Sequence, residues 1–237
     1  MPNIAKHDRD EAQAFVPALR YKWATGIYDW VIEYFTRGEA LRRLSVNATA
    51  PQAGEAILDL GCGTGGLSIA VAKAEPKANV TGYDIDPDIL DIARKKMGSR
   101  AEAPAVTFRE VNVAEIAALP QTDIGRFDCV TSSLVFHHLA PDRKRMALQA
   151  VRALLRPDGR FVLIDWGPGA NILLRGAFLL VRLLDGLAVT RDNARGNLPV
   201  MLEGAGFSQI EARPMLNTMF GTVWCYHAKV QSLQGSE

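Results

Sequence analysis

Apolar residues fall into two kinds of spacing along this chain. In the first 50 residues they recur at helical intervals. Phe15, Val16 and Leu19 come first, and Ile27, Trp30, Val31, Tyr34 and Phe35 follow, which predicts amphipathic helices. Gly38 reads as a helix end or turn, and Ala40 to Val46 as a further short helix. Pro51 to Gly54 is a connector. Beyond it, short apolar runs alternate with helical stretches. The runs are Ile57–Leu60, Asn79–Asp86, Ala105–Asn112, Phe127–Ser133 and Arg160–Trp166. Leu67 to Ala72, Ile89 to Met97 and Met146 to Leu155 carry the helical pattern between them. Strand and helix in alternation predict an α/β fold with a parallel sheet. The run Phe161-Val162-Leu163-Ile164 is apolar throughout, as a strand covered on both faces must be. Asn171 to Val189 is leucine-rich and interrupted by Arg175, Arg182 and Asp185. Arg191 to Asn197 reads as a polar, mobile connector. A helix through Met201 and Leu202 and two strands, Phe207–Arg213 and Thr222–Lys229, complete the pattern.

The densest chemistry lies where the first strand meets its helix. Ile57-Leu58-Asp59-Leu60 runs into Gly61-Cys62-Gly63-Thr64-Gly65-Gly66, and the helical pattern starts at Leu67. Glycines belong where a backbone turns sharply and lets a ligand approach. The same spacing serves dinucleotide folds, but Asp59 at the strand end opposes a pyrophosphate on the helix N-terminus. It suits a cofactor that carries positive groups. Asp84 follows roughly 20 residues after the turn, where nucleotide folds place a carboxylate on ribose hydroxyls. Asp86-Pro87 reads as N-cap and first helical residue.

Composition narrows the field without choosing an activity. The chain has 237 residues, a net charge of +1, 48% hydrophobic and 22% charged residues, which fits one core domain with additions. So small a net charge gives no field for nucleic acid. Cys62, Cys129 and Cys225 form no CxxC pair and read as buried thiols. The start lacks an apolar leader pattern and no uncharged run reaches spanning length. A cytoplasmic protein with no metal is the expectation.

Asp59-Leu60-Gly61-Cys62-Gly63-Thr64-Gly65 resembles the D-x-G-x-G-x-G motif of class I S-adenosylmethionine (SAM)-dependent methyltransferases. Phe127-Asp128 with His137-His138-Leu139, and Leu154-Leu155-Arg156-Pro157-Asp158-Gly159-Arg160, resemble later motifs of that family in the same order. So does the ending Leu202 to Phe207 followed by two strands. The resemblance covers residues 55 to 230. It implies a doubly wound, Rossmann-like seven-stranded sheet in the order 3-2-1-4-5-7-6 with the last strand antiparallel. Residues 1–50 would be a helical cap, and 51–237 the SAM-binding domain with a lid insertion at about 168–197.

By that resemblance Asp59, Gly61, Cys62, Gly63 and Gly65 hold the methionine part of SAM. Asp84 holds the ribose, Ile85 packs on the adenine, and Asn112 and Val113 meet the adenine edge. Ser132 and Ser133 complete the cofactor side. Asn112 stands where the family usually has an acid. His137, His138 and Asp165 are candidate proton acceptors, and Tyr21, Tyr28, Phe136 and Trp166 are candidates for the acceptor pocket. The expected activity is methyl transfer to a small lipophilic acceptor, quinone-, lipid- or natural-product-like, with S-adenosylhomocysteine as product. A catalytically silent SAM-binding protein and an NAD-dependent oxidoreductase are the alternatives. The apolar 171–189 stretch is an acceptor lid, a peripheral membrane contact, a dimer interface or simply a buried helix. The chain is expected to be a monomer or homodimer.

Overall fold

A computed structural model describes residues 38–98, 106–113 and 119–230. The predicted cap before Gly38, with Tyr21 and Tyr28, lies outside them. The first described element is helix α1, Gly38–Thr49. Gly38, expected at a helix end or turn, is helical. Seven strands follow: β1 (Ala56–Leu60), β2 (Asn79–Asp84), β3 (Val106–Glu110), β4 (Phe127–Ser133), β5 (Leu155–Trp166), β6 (Phe207–Thr218) and β7 (Gly221–Val230). They form one sheet in the order β3-β2-β1-β4-β5-β7-β6, as the sequence predicts. β1 to β5 pair in parallel, and β7 runs antiparallel between β5 and β6.

The alternation of side chains in β1 divides the core into two layers. Leu58 and Leu60 join Phe161, Leu163, Leu148, Val151 and Leu202 on one face. Ile57 joins Val71, Leu90, Val162, Ile164 and Val223 on the other. Helices cover each layer: α2 (Gly66–Ala74), α3 (Pro87–Met97), α4 (Pro141–Leu154) and α7 (Leu198–Gly204). Asp86 caps α3 by accepting N–H bonds from Asp88 and Ile89, with Pro87 behind it, as its position before a proline predicts. At the base of the sheet Arg160 makes a two-pronged pair with Glu55, 2.6 and 2.8 Å, and donates to the carbonyls of Thr49 and Ala50. That bond set closes the C-terminal end of α1 onto β5.

The stretch after β5 holds α5 (Ile172–Asp185) and α6 (Arg191–Arg195). The second of these corrects the expected mobile connector. Its Asn193 is fully buried and bonded, so the segment is packed rather than loose. Among the described residues no helix is long and apolar enough to cross a membrane.

Candidate active site

In an open α/β sheet the ligand crevice lies beyond the carboxyl ends of the strands, where the strand order reverses. Here β1 pairs with both β2 and β4, so the reversal falls beside the Gly61–Gly65 turn. The turn is held from within. Gly61 and Cys62 both donate their N–H groups to the Tyr83 carbonyl, at 2.8 and 2.9 Å, and Gly65 donates to the Cys62 carbonyl at 2.9 Å. Gly63 donates to Asp84 Oδ2 at 2.8 Å. Gly63 has φ +52°, and a Cβ there would meet nothing within 4 Å. The backbone is therefore bare toward the crevice at that point. Gly65, at φ +76°, is closed in by contrast, because a Cβ would lie 2.7 Å from the Phe108 ring.

Asp59 is buried and accepts from Ser68 Oγ at 2.5 Å and from the Ser68 N–H. It thus occupies the first turn of α2, the place a phosphate takes in dinucleotide folds. Burial pushes its carboxyl up to about 6, against the lowering by Ser68, and the neighbouring Asp84 adds to the rise. With four turn amides already donated inside the protein, this crevice favours a cation-bearing ligand over an anion. Asp84 also accepts from Asp86 N–H at 3.1 Å. Ile85, at 36% exposure, stands just past it. Asn112 and Val113 follow β3 and are half-buried, and Val111 N–H bonds the Asp84 carbonyl at 2.9 Å. The cofactor residues expected from β1, β2 and β3 thus gather at one edge. Ser132 departs from that expectation: it is fully buried and donates its hydroxyl to the Leu60 carbonyl at 2.9 Å, so it braces β4 on β1. Cys62 is buried, and its Sγ contacts the Gly63 carbonyl at 3.8 Å. Ser133 is half-buried at the end of β4.

β4 leads into a tight turn over Phe136–His138. Asp165 is fully buried and accepts from His137 N (3.1 Å), His137 Nδ1 (2.7 Å) and Trp166 N (2.7 Å). Burial raises its carboxyl, but His137, the Trp166 N–H and Lys144 together hold it below the usual range. An ionised carboxylate only accepts, so Nδ1 of His137 carries the proton of this bond. The His137 and His138 rings lie 3.9 Å apart. Burial and His137 push His138 down to about 3, against Asp165. His138 is therefore the weaker base of the two, and His137, itself buried, is the imidazole paired with Asp165.

Two aromatic expectations also change. Phe136 is fully buried against Phe161, with ring centroids 6.0 Å apart, so it fills the core. Trp166 is buried against Phe178, 5.6 Å, and meets the edge of His137 at 6.5 Å. It joins α5 to the sheet instead of facing the crevice. Sequence reasoning missed Lys144 and Asn193. Both are fully buried, and Lys144 Nζ donates to the Val189 carbonyl and to Asn193 Oδ1, the latter at 2.9 Å. The signal was there: Lys144, Ala147, Leu148, Val151 and Leu154 share one helical face.

Comparison with known proteins agrees with this geometry. The family described as "Methyltransferase domain" matches residues 57–159. A demethylmenaquinone methyltransferase of Thermus thermophilus is 36% identical over 156 residues, covering 65% of this chain and 66% of that protein. A ubiquinone biosynthesis O-methyltransferase of Actinobacillus pleuropneumoniae is 38% identical over 109 residues, 45% of this chain and 43% of its own length. The chain thus spans less than two thirds of these relatives. Magnesium protoporphyrin IX methyltransferase from Synechocystis PCC 6803, solved with bound S-adenosylhomocysteine, superposes with a TM-score of 0.64 at 20% identity, over 88% of this chain and 95% of that one. That likeness is one of fold. Motif order, sheet order and family match converge on a class I SAM-dependent methyltransferase domain, matched over residues 57–159.

Proposed function

We propose that this protein transfers a methyl group from SAM to a small lipophilic acceptor, with quinones and their phenolic precursors as the favoured class. The observation that carries the cofactor half is the Gly63–Asp84 clasp, with bare backbone at Gly63 and an acid already seated on α2. These residues fit SAM. The Gly61–Gly65 turn and Asp59 would hold the methionine part, Asp84 the ribose, and Ile85, Asn112 and Val113 the adenine. Bound SAM supplies an electrophilic methyl group. The protein supplies position and dryness, and His137 supplies a proton acceptor. Asp165 fixes the imidazole tautomer and stabilises the cation formed when Nε2 takes a proton from a phenolic or ring-carbon acceptor.

The acceptor class is supported by two observations. The relatives include demethylmenaquinone and ubiquinone-pathway methyltransferases. On α5, Ile172, Leu173 and Leu183 are 84%, 79% and 63% exposed in the described structure, with the cation of Arg175 exposed beside them. Such a face suits an anionic lipid surface from which an apolar acceptor is drawn, and we extend the proposal to that contact. The test is calorimetry with S-adenosylhomocysteine and NADH side by side, then turnover of a short-chain 1,4-naphthoquinol. Micromolar S-adenosylhomocysteine binding, no NADH binding and a methylated quinol are expected. NADH binding in place of S-adenosylhomocysteine would overturn the reading, while cofactor binding with no turnover of any acceptor would favour a silent SAM-binding protein.

A further inference from the structure

A lysine with no exposed surface is costly to bury unless its charge and all its N–H donors are met. Lys144 on α4 is such a residue, at 0% exposure. Its partners do not lie in the core beneath it. They lie in the segment that crosses the carboxyl edge after α5. Nζ donates to the Val189 carbonyl and, at 2.9 Å, to Asn193 Oδ1, and the Asp192 carboxylate stands at 3.8 Å. Asn193 passes the contact on by donating Nδ2 to the Trp166 carbonyl at 2.9 Å. Trp166 directly follows Asp165, whose negative charge partly offsets the burial that lowers the pKa of Lys144. One ammonium therefore ties α4, the 189–193 segment and the end of β5 together, against the His137–Asp165 pair.

The segment needs such a tie. α6 has only 5 residues, too few to hold a helix without outside contacts. Of the three donor positions on Nζ, two reach neutral oxygens at fixed places, and the Asp192 carboxylate stands 3.8 Å away as a charge partner outside hydrogen-bond distance. The bond set thus fixes a position and not merely a charge.

We propose that Lys144 is a positioning residue for the acceptor side of the site: its buried ammonium clamps residues 189–193 onto the carboxyl edge and holds the wall beside His137 and Asp165. The consequence for turnover rests on the methyl-transfer reading above; the clamp itself does not. The variant Lys144→Met keeps the side chain's length and removes its charge and donors. Removing one partner leaves the Val189 carbonyl, Asn193 Oδ1 and the Asp192 carboxylate without their cation and costs stability, so the local effect is read against the β4 amides as control. Hydrogen exchange followed by mass spectrometry is the first readout. Amides in 186–196 are expected to exchange at least tenfold faster than in wild type, with those of β4 unchanged. The second is kinetic: the KM for the naphthoquinol rises about tenfold or more while S-adenosylhomocysteine affinity stays within twofold. Wild-type protection of 186–196 in Lys144→Met overturns the proposal, and so does faster exchange spread evenly over the chain. Should Lys144→Met not fold, Asn193→Ala cuts the same tie from the other side, and the same two outcomes decide. If the wild type methylates no naphthoquinol, the acceptor reading fails and the exchange result still judges the clamp.

Discussion

Replacing Asp59 with asparagine removes one proton-binding group from the interior and nothing of its size. In the wild type, burial raises this carboxyl from 3.8 to about 6. A group with a raised folded-state value contributes stability that is fully present below 3.8 and is lost as pH climbs through about 6. A shift of about two pH units corresponds to roughly 3 kcal/mol. Between pH 4.5 and 7.5 the linkage relation gives up about 2 kcal/mol of that for the wild type and none for Asp59→Asn. The cost of trading a carboxylate oxygen for an amide on Ser68 does not depend on pH, so it cancels from the comparison. Urea unfolding of both proteins across that range is the assay. The stability of Asp59→Asn minus that of the wild type is expected to rise by about 2 kcal/mol from pH 4.5 to 7.5. A flat difference would refute the claim that burial outweighs the two Ser68 hydrogen bonds and raises this carboxyl.

The other expectations are simpler to state. Asp84→Ala removes the acceptor of the Gly63 N–H, a charged hydrogen bond worth about 1.5–3 kcal/mol; calorimetry should show S-adenosylhomocysteine affinity at least tenfold weaker. Gly65→Ala combines φ +76° with a Cβ 2.7 Å from Phe108 and is expected to cost about 2 kcal/mol or more in thermal or urea unfolding. Asp165→Asn leaves His137 without its anionic partner; kcat on a phenolic acceptor should fall about a hundredfold or more, and activity within twofold of wild type would remove His137 from the mechanism. Paired charges at Leu180→Glu and Leu183→Glu, both exposed on α5, should abolish co-sedimentation with phosphatidylglycerol vesicles while leaving S-adenosylhomocysteine binding unchanged.

Much of the fold was legible because its strands are buried on both faces. Runs such as Phe161 to Ile164 leave few other readings, and the glycine turn marks where the sheet reverses. The candidate cofactor edge was legible for a different reason: Asp59, Gly63 and Asp84 lie at or just beyond strand ends whose spacing is set by the βαβ unit. The acceptor side was less so. Phe136 and Trp166 are aromatic and lie near the carboxyl edge, but the turn after β4 carries Phe136 into one core layer and the pleat of β5 carries Trp166 into the other. His137 and His138 look alike in sequence, and only burial with Asp165 on one side separates a paired imidazole from a suppressed one. Lys144 was hidden by its neighbours, since Asp142-Arg143-Lys144-Arg145 reads as a solvated charge run. The phase of the apolar stripe, carried one turn back, places it inside. Asp123 is a similar case: buried between Arg109 and Arg126 at 2.6 and 2.7 Å, it takes the Tyr83 hydroxyl as well, and these contacts outweigh burial to keep its carboxyl low. Arg126 stands three residues on, but nothing in the local sequence announces the other two partners, Tyr83 and Arg109, which come from β2 and β3.

The most direct measurement is methyl transfer from SAM labelled in the methyl group, using the purified protein and a bacterial lipid extract, followed by partition between organic and aqueous phases. If the carboxyl edge is a methyl-transfer site for a lipophilic acceptor, the label passes into the organic phase, and Asp84→Ala reduces that transfer at limiting SAM. Label confined to the aqueous phase, or transfer indifferent to Asp84, would contradict it.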